Sequence, residues 1–380
     1  MNVRRADVIV VGGGTMGTAA GWALAKQGHD VVVLEQFGHV HSMGSHGGKT
    51  RIIRHAYAEG ADYVPLVQRA DALWQELEAA TGTNFLIRTG GLDMAAPGFG
   101  HAVAARRSAL EYDLPHEWLT GAEVNRRWPT WRLPDDWEVC YSPDAGFLEV
   151  EPSLRALATE MARHGGELRT EEAVQDWSTA DDAISVRTTR GEYRADRLVV
   201  VAGSWTGHLL AAIGLPLEVR RKPVFWFKVD DESRFAPDRF PVFIAECADG
   251  NFYGLPVHGE PGVKAGVHNG GKATTPDTID RTPHPSDYEQ DLAPFMSRCL
   301  VGASEEVVSG TVCMYTMTPD EHFLIDRHPE DPRIVFATGF SGHGFKFAPV
   351  IGEHLAALAT DEAVQPYADF ALSRFALHAG

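Results

Sequence analysis

Asp7-Val8-Ile9-Val10-Val11-Gly12-Gly13-Gly14-Thr15-Met16-Gly17 is the stretch from which the fold can be read. Asp7 to Val11 reads as a buried parallel strand, because its apolar, β-branched residues run without polar alternation. Thr15 to Gln27 reads as a helix with alanine and leucine on one face, and Val31-Val32-Val33-Leu34-Glu35 as the next strand. In such a βαβ unit Gly12 allows the tight turn, Gly14 lets a pyrophosphate approach the backbone, and Gly17 lets helix and strand pack closely. The helix N-terminus faces the phosphates. Glu35 closes the second strand, where a carboxylate binds ribose hydroxyls. The motif predicts a bound dinucleotide without separating FAD from NAD.

The 380 residues suffice for two domains with their own cores. Hydrophobic residues make up 44% and charged residues 23%, an ordinary globular balance, so long disordered tracts are not expected. A net charge of -18 argues against nucleic acid or an anionic membrane as partner. No apolar run is long enough to span a bilayer, and Arg4-Arg5 leads straight into the glycine motif, which favours a strand over a signal peptide. Cys140, Cys247, Cys299 and Cys313 are widely separated, which fits a reducing cytoplasm and neither a disulfide framework nor a zinc site. No paired-histidine spacing points to a metal.

A second buried strand, Leu198-Val199-Val200-Val201 running into Ala202-Gly203, returns long after the first βαβ unit. A third, Arg333 to Thr338, ends in Gly339 and leads to a helix from about Lys346 to Ala359. Between them, Val224 to Val229, Phe240 to Ile244, Phe252 to Leu255 and Val263 to Val267 alternate like strands of an antiparallel or mixed sheet. The chain is therefore expected to enter and leave the nucleotide domain more than once. The predicted class is α/β, a discontinuous Rossmann-like nucleotide domain (1–85, 147–215, 320–380) with a substrate domain (86–146, 216–319) built on a mostly antiparallel sheet.

Three further segments carry chemistry. Ser45-His46-Gly47-Gly48-Lys49-Thr50-Arg51-Ile52-Ile53-Arg54 places two arginines near the end of the second strand, at the cofactor edge of a parallel sheet. They read equally as surface cations pairing with Glu59 or Asp62. Lys264 and His268 sit four apart on one face of a strand and its exit. Lys264 also reads as an edge-strand charge, and His268 and His343 as structural hydrogen-bonders. Cys313, in Val312-Cys313-Met314-Tyr315-Thr316, reads alone as a buried apolar cysteine.

Taken with Gly339-Phe340-Ser341-Gly342-His343-Gly344-Phe345-Lys346-Phe347, these segments resemble, in order and spacing, the family of monomeric sarcosine oxidase and N-methyltryptophan oxidase. The resemblance runs from Asp7 to about Phe370 and implies a glutathione-reductase-type fold and an FAD-dependent oxidase of N-methyl amino acids. It implies that Cys313 carries the flavin through a thioether, that Arg54 and Lys346 grip the substrate carboxylate, and that Lys264 activates oxygen. Arg51, Tyr253 and His268 would line the flavin and substrate cavity. Ser45 and Thr50 would border the cofactor with Gly342, His343, Gly344, Phe345 and Lys346. The expected partners are an amino acid and O2, the expected products the demethylated amino acid, formaldehyde and hydrogen peroxide, and the expected state a cytoplasmic monomer. Bulkier or cyclic secondary amino acids, of the N-methyltryptophan, proline or pipecolate type, form the rival substrate class, and a flavin-bound sensor without turnover is the alternative outside catalysis. The family's His-His-Gly-Asp is here His46-Gly47-Gly48-Lys49, so one imidazole is absent and an acid has become a base, with a predicted effect on flavin tuning.

Overall fold

The structure is a computed structural model and describes residues 3–180 and 182–375; the outermost ends of the first and last expected segments, 1–2 and 376–380, lie outside them. Strand Arg4–Val11 lies between Val31–Leu34 and Glu192–Val200, all parallel. Glu167–Arg169 extends the sheet beyond Val31–Leu34, and Asp331–Thr338 pairs in parallel with the C-terminal half of Glu192–Val200. The other half of that strand carries the hairpin Val174–Thr179 and Ile184–Thr188 antiparallel. Helices Thr15–Lys26, Val150–Arg163 and Ala348–Thr360 bury one face of the parallel core in a single apolar cluster. Two glycines make these approaches possible. A Cβ on Gly17 would stand 1.7 Å from the Gly12 carbonyl oxygen, and one on Gly352 would stand 2.6 Å from the Ala19 backbone.

The second sheet orders Ala273–Thr274, Glu218–Val229, Val263–Val267, Gly250–Leu255, Val242–Cys247, Gly91–Ala95, Glu138–Ser142 and Glu117–Thr120, with Ala303–Met317 paired along Glu218–Val229. All its pairings are antiparallel except that of Gly91–Ala95 with Val242–Cys247. Strand periodicity gives this sheet two different faces. Phe225, Phe227, Phe243, Phe252 and Ala265 pack against Phe295 of helix Leu292–Cys299 in one core cluster. The opposite face carries Lys222, Val224 and Trp226 in register with Cys313, Gly266 and Lys264, and Tyr253 lies beside Gly266. Several boundaries move from the sequence reading, the strand expected from Val224 beginning already at Glu218 and that from Arg333 at Asp331, and two of the shifts have a plain cause in proline. The strand expected from Phe240 begins at Val242, because Pro241 has no N–H to give the ladder. The helix expected from Lys346 begins at Ala348 with Pro349 in its first turn, after a 3-10 turn over Phe345–Phe347 that contains Lys346.

His55 joins three pieces of chain. Its Nε2 lies 2.6 Å from Asp71 on helix Tyr63–Thr81, and its Nδ1 lies 2.6 Å from Asp144, between the two sheet regions. Burial opposes a charge on the ring, but hydrogen bonds to Asp144 and Asp71 outweigh it and lift the imidazole to about 9. An imidazolium stabilised in this way contributes fully below its ordinary value of 6.5 and is lost as pH rises through about 9. At ~1.4 kcal/mol per pH unit, the contribution is at most about 3 kcal/mol. His55→Gln is therefore expected to unfold several degrees below the unmutated protein at pH 6, with the gap largely closed by pH 10. A gap that is constant with pH in thermal melts would overturn this account.

Candidate active site

Gly12 (φ +103°) turns the chain from the first strand into the helix, and a Cβ there would collide with the Val201 carbonyl at 2.6 Å. The Gly13 amide donates to Glu35 Oε2 at 2.8 Å and Phe37 N donates to Oε1 at 2.8 Å, so the Glu35 carboxylate is fixed at the strand end. Gly14 differs from its neighbours: its missing Cβ points into open space, with the nearest atom, on His46, 3.8 Å away. That space belongs to a cavity enclosing about 1350 Å³, its open mouth included, walled by Gly12, Gly14, Glu35, Ser45, Arg51 and the loop from Thr338 to Phe345. His46 Nε2 is buried beside it with no hydrogen-bond partner among the described residues, and burial pushes this imidazole down to about 3. A glycine whose bare face lines the cavity, an acid held at the ribose position and an unpaired buried imidazole nitrogen fit an extended dinucleotide such as FAD.

The Gly339 loop closes the other end. Gly339, Ser341 and Gly342 all take positive φ, and a Cβ on Gly342 would strike the Tyr315 ring at 2.2 Å. Gly342, Gly344 and Phe345 stand on the cavity wall. His343 lies behind: its Nε2 faces the Glu321 carbonyl at 3.1 Å, so it carries the proton, and its Nδ1 accepts from Tyr57 Oη at 2.8 Å. Lys346 Nζ donates to Tyr57 Oη at 3.2 Å and to the His343 carbonyl at 2.9 Å. Burial, and then Arg54, bring the Lys346 ammonium down to about 7.

Arg54 is neither a surface cation nor free. It is 3% exposed, and its Nη2 donates to both Glu59 oxygens at 2.9 and 2.8 Å. Its Nε stands 3.3 Å from Asp93 Oδ1, which also receives His101 Nε2 at 2.8 Å. Burial opposes the charge, but Glu59 and Asp93 hold the guanidinium more basic than usual. Arg51 instead folds back on its own loop, donating to the Ser45 carbonyl at 2.8 Å and to the carbonyls of Thr50 and Gly47.

The second sheet brings the rest. Lys264 Nζ donates to the Gly48 carbonyl at 2.5 Å, the Thr50 carbonyl at 2.7 Å and Thr50 Oγ1 at 3.0 Å, while burial drives it well below the usual lysine range. Thr50 thus supports Lys264 rather than standing on the cavity wall. Cys313 Sγ donates to the Lys222 carbonyl at 3.3 Å, and a Cβ on Gly47 would lie 3.7 Å from Cys313 Cβ, so the absent imidazole leaves room beside the thiol. Burial raises Tyr253 to about 12, and half-buried His268 is lowered to about 4, with its ring 5.8 Å from that of Tyr315. Lys49 points away from the cavity: its side chain is 61% exposed and pairs with Glu260 at 3.5 Å, so the acid-to-base change adds no charge at the cavity wall.

Four residues around the site, Asp93, His101, Tyr57 and Lys222, escaped sequence reading, in which Glu59 is only a surface partner. Glu59, Asp93 and His101 surround Arg54, Tyr57 joins Lys346 to His343, and Lys222 lies beside Cys313. Asp93 had a signal, an acid inside the otherwise apolar strand Gly91–Ala95.

The model of the FAD dependent oxidoreductase family matches residues 7–358. Monomeric sarcosine oxidase of Bacillus sp. (strain B-0618) is 42% identical over 98% of this chain and 96% of its own length. N-methyl-L-tryptophan oxidase of Yersinia pestis (strain Pestoides F) is 35% identical over 97% of this chain and 99% of its own. The open form of NikD, an unusual amino acid oxidase essential for nikkomycin biosynthesis, superposes with a TM-score of 0.84 at 25% identity, covering 96% of each chain. With its cradle, its Gly339 loop and these likenesses along its whole described length, the chain belongs to the FAD-dependent oxidoreductases and, among them, to the group of the monomeric sarcosine oxidases.

Proposed function

We propose that the protein oxidises N-methyl amino acids of sarcosine type with O2, releasing the demethylated amino acid, formaldehyde and hydrogen peroxide, and that it works as a monomer in the cytoplasm. The observation that supports this most is the meeting of Arg54 and Lys346, 292 residues apart in sequence, within one buried cluster through Tyr57. Arg54 already has two carboxylates, whereas Lys346 has only a phenol and a carbonyl. An incoming α-carboxylate therefore finds its uncompensated partner in Lys346 and competes with Glu59 for the Arg54 fork. Held by both, the substrate is oriented and stripped of water before reaction. FAD held in this cavity would supply the acceptor for a hydride from the N-methyl carbon, whose imine water then hydrolyses to formaldehyde and the free amine, and would return the two electrons to O2 as hydrogen peroxide. His343, neutral and with Nε2 protonated, keeps Tyr57 aimed at Lys346. Lys264, Arg51, Tyr253 and His268 line this side of the site, Lys264 as the cation that serves oxygen reduction. Gly12, Gly14, Glu35, Ser45, Gly342, Gly344 and Phe345 hold the cofactor, which Cys313 binds covalently, while Gly17, Thr50, His343 and Lys346 act from behind the wall through helix packing, Lys264 and Tyr57. Residues 1–85, 147–215 and 320–380 form the cofactor domain in this reading.

Peroxide and formaldehyde release across sarcosine, N-methyltryptophan, proline and pipecolate tests the reading. Sarcosine-type turnover is expected, and no peroxide with any of the four would end it. The covalent bond is tested by acid precipitation. The yellow colour is expected in the pellet and, for Cys313→Ser, in the supernatant; free colour from the unmutated protein would refute it.

Loss of one charge-assisted partner costs about 1.5 to 3 kcal/mol, so Lys346→Met is expected to weaken carboxylate binding by about one to two powers of ten. Binding of acetate, which carries no amine, should also weaken as pH rises through about 7, where Lys346 loses its proton. A flat acetate profile from pH 6 to 9 in absorbance titrations would reject the clamp. Lys264→Met is expected to slow reoxidation by O2 far more than anaerobic reduction by substrate, since the charge it stabilises arises only in the oxygen step. Equal losses in the two half-reactions would make Lys264 a packing residue.

A further inference from the structure

Arg220-Arg221-Lys222 looks in sequence like a solvated basic run, yet strand alternation sends its members to opposite faces. Arg221 turns to the outer side and receives a carboxylate: Asp287 accepts from it at 2.7 and 3.0 Å, and the carbonyls of Asp280 and Thr282 take its other donors. Lys222 turns to the cofactor side, directly opposite Cys313 in the ladder and on the face of Val224 and Trp226. It is 4% exposed. Its Nζ donates to the carbonyls of His268 at 2.7 Å and Asn269 at 2.8 Å and stands 5.0 Å from the Tyr315 ring centre. An ammonium has three donors, so one remains. Among the described residues the lysine ion pairs are those of Lys26, Lys49 and Lys228, so no carboxylate reaches Lys222 at ion-pair distance.

Burial, followed by Arg220, brings Lys222 down to about 8, and Cys313 and Glu321 act against this without closing on it. The Tyr315 ring links Lys222 to the site: it walls the cavity, stands 5.8 Å from the His268 ring and packs against Gly342 of the loop that carries Lys346. A buried cation without a counter-charge is costly to the fold, and an apolar side chain would pack there at less expense. A ligand that brings the missing anion removes that cost on binding.

We propose that Lys222 receives a second carboxylate on the substrate, so that the preferred substrates are N-methyl amino acids with an acidic side chain. This rests on the N-methyl amino acid reading above. Arg54 and Lys346 then take the α-carboxylate, and Lys222 takes the side-chain carboxylate across the His268 and Tyr315 surface. Sarcosine, with no side chain, leaves Lys222 unpaired.

The test uses the flavin-loaded protein and the ratio of kcat/KM for N-methylglutamate over N-methylglutamine, which differ in charge and hardly in shape. The unmutated enzyme is expected to favour the acid by about tenfold or more, the size of one charge-assisted hydrogen bond. In Lys222→Met and, should that variant fold poorly, in Lys222→Gln, the ratio should fall to about one or below. Glutarate should likewise bind more tightly than its monoamide in absorbance titrations of the resting flavin, and lose that advantage in either variant. A ratio near one in the unmutated enzyme overturns the proposal. So does an equal loss on both substrates in both variants, which would make Lys222 a general packing or α-carboxylate residue. If sarcosine and every other N-methyl amino acid yield no peroxide, the oxidase reading falls, and the glutarate titration still decides on Lys222.

Discussion

The ammonium of Lys264 fastens the two halves of the molecule together. It reaches from the second sheet across more than 200 residues of sequence to the carbonyls of Gly48 and Thr50 and the Thr50 hydroxyl. Its three donors match three oxygens, which is what offsets removing the charge from water. The loop so held is the one whose carbonyls, at Ser45, Gly47 and Thr50, also take the Arg51 guanidinium. One face of the cavity is thus a backbone loop pinned by two cations, and the position of Arg54, a few residues on, follows from it.

The cations of the site divide into two kinds. Arg54 is compensated by carboxylates, whereas Lys222, Lys264 and Lys346 rest on carbonyls and hydroxyls. Carbonyl dipoles satisfy donors without cancelling charge, so the pocket stays electropositive inside a protein of net charge -18. Arg54 supplies geometry, and Lys222 and Lys346, brought down to about 8 and about 7, supply the capacity to gain or lose a proton near neutral pH.

The parallel sheet was legible from the N-terminal glycines because two of them answer a local steric demand, 2.6 Å from Val201 at Gly12 and 1.7 Å from Gly12 at Gly17, while Gly14 leaves the cavity wall bare. The alternating strands from Val224 to Val267 announced the second sheet. What the sequence hid were relations between distant side chains. Lys222 follows two arginines in a basic run, and only the register opposite Cys313 fixes the face it takes. Glu59 was in view as a surface partner of Arg54, but the burial of the pair depends on packing between Asp93 and Tyr57. The change at Lys49, an apparent reversal of charge beside the flavin, is neutralised by a left-handed backbone (φ +68°) that turns the side chain toward Glu260.

The order in which the strands occur along the chain has a consequence for biosynthesis. The middle strand Glu192–Val200 gains its last parallel neighbour from Asp331–Thr338, and the loop that follows forms one wall of the cavity. During synthesis the glycine cradle therefore emerges early and waits, half-built, while the whole second sheet is made and folded. Such long-range pairing is slow and leaves apolar edges exposed in the interim. Capture of the cofactor is accordingly a late event on the ribosome or after release from it, and the yield of active protein in a cell depends on how well the unfinished sheet is shielded until its last strand arrives.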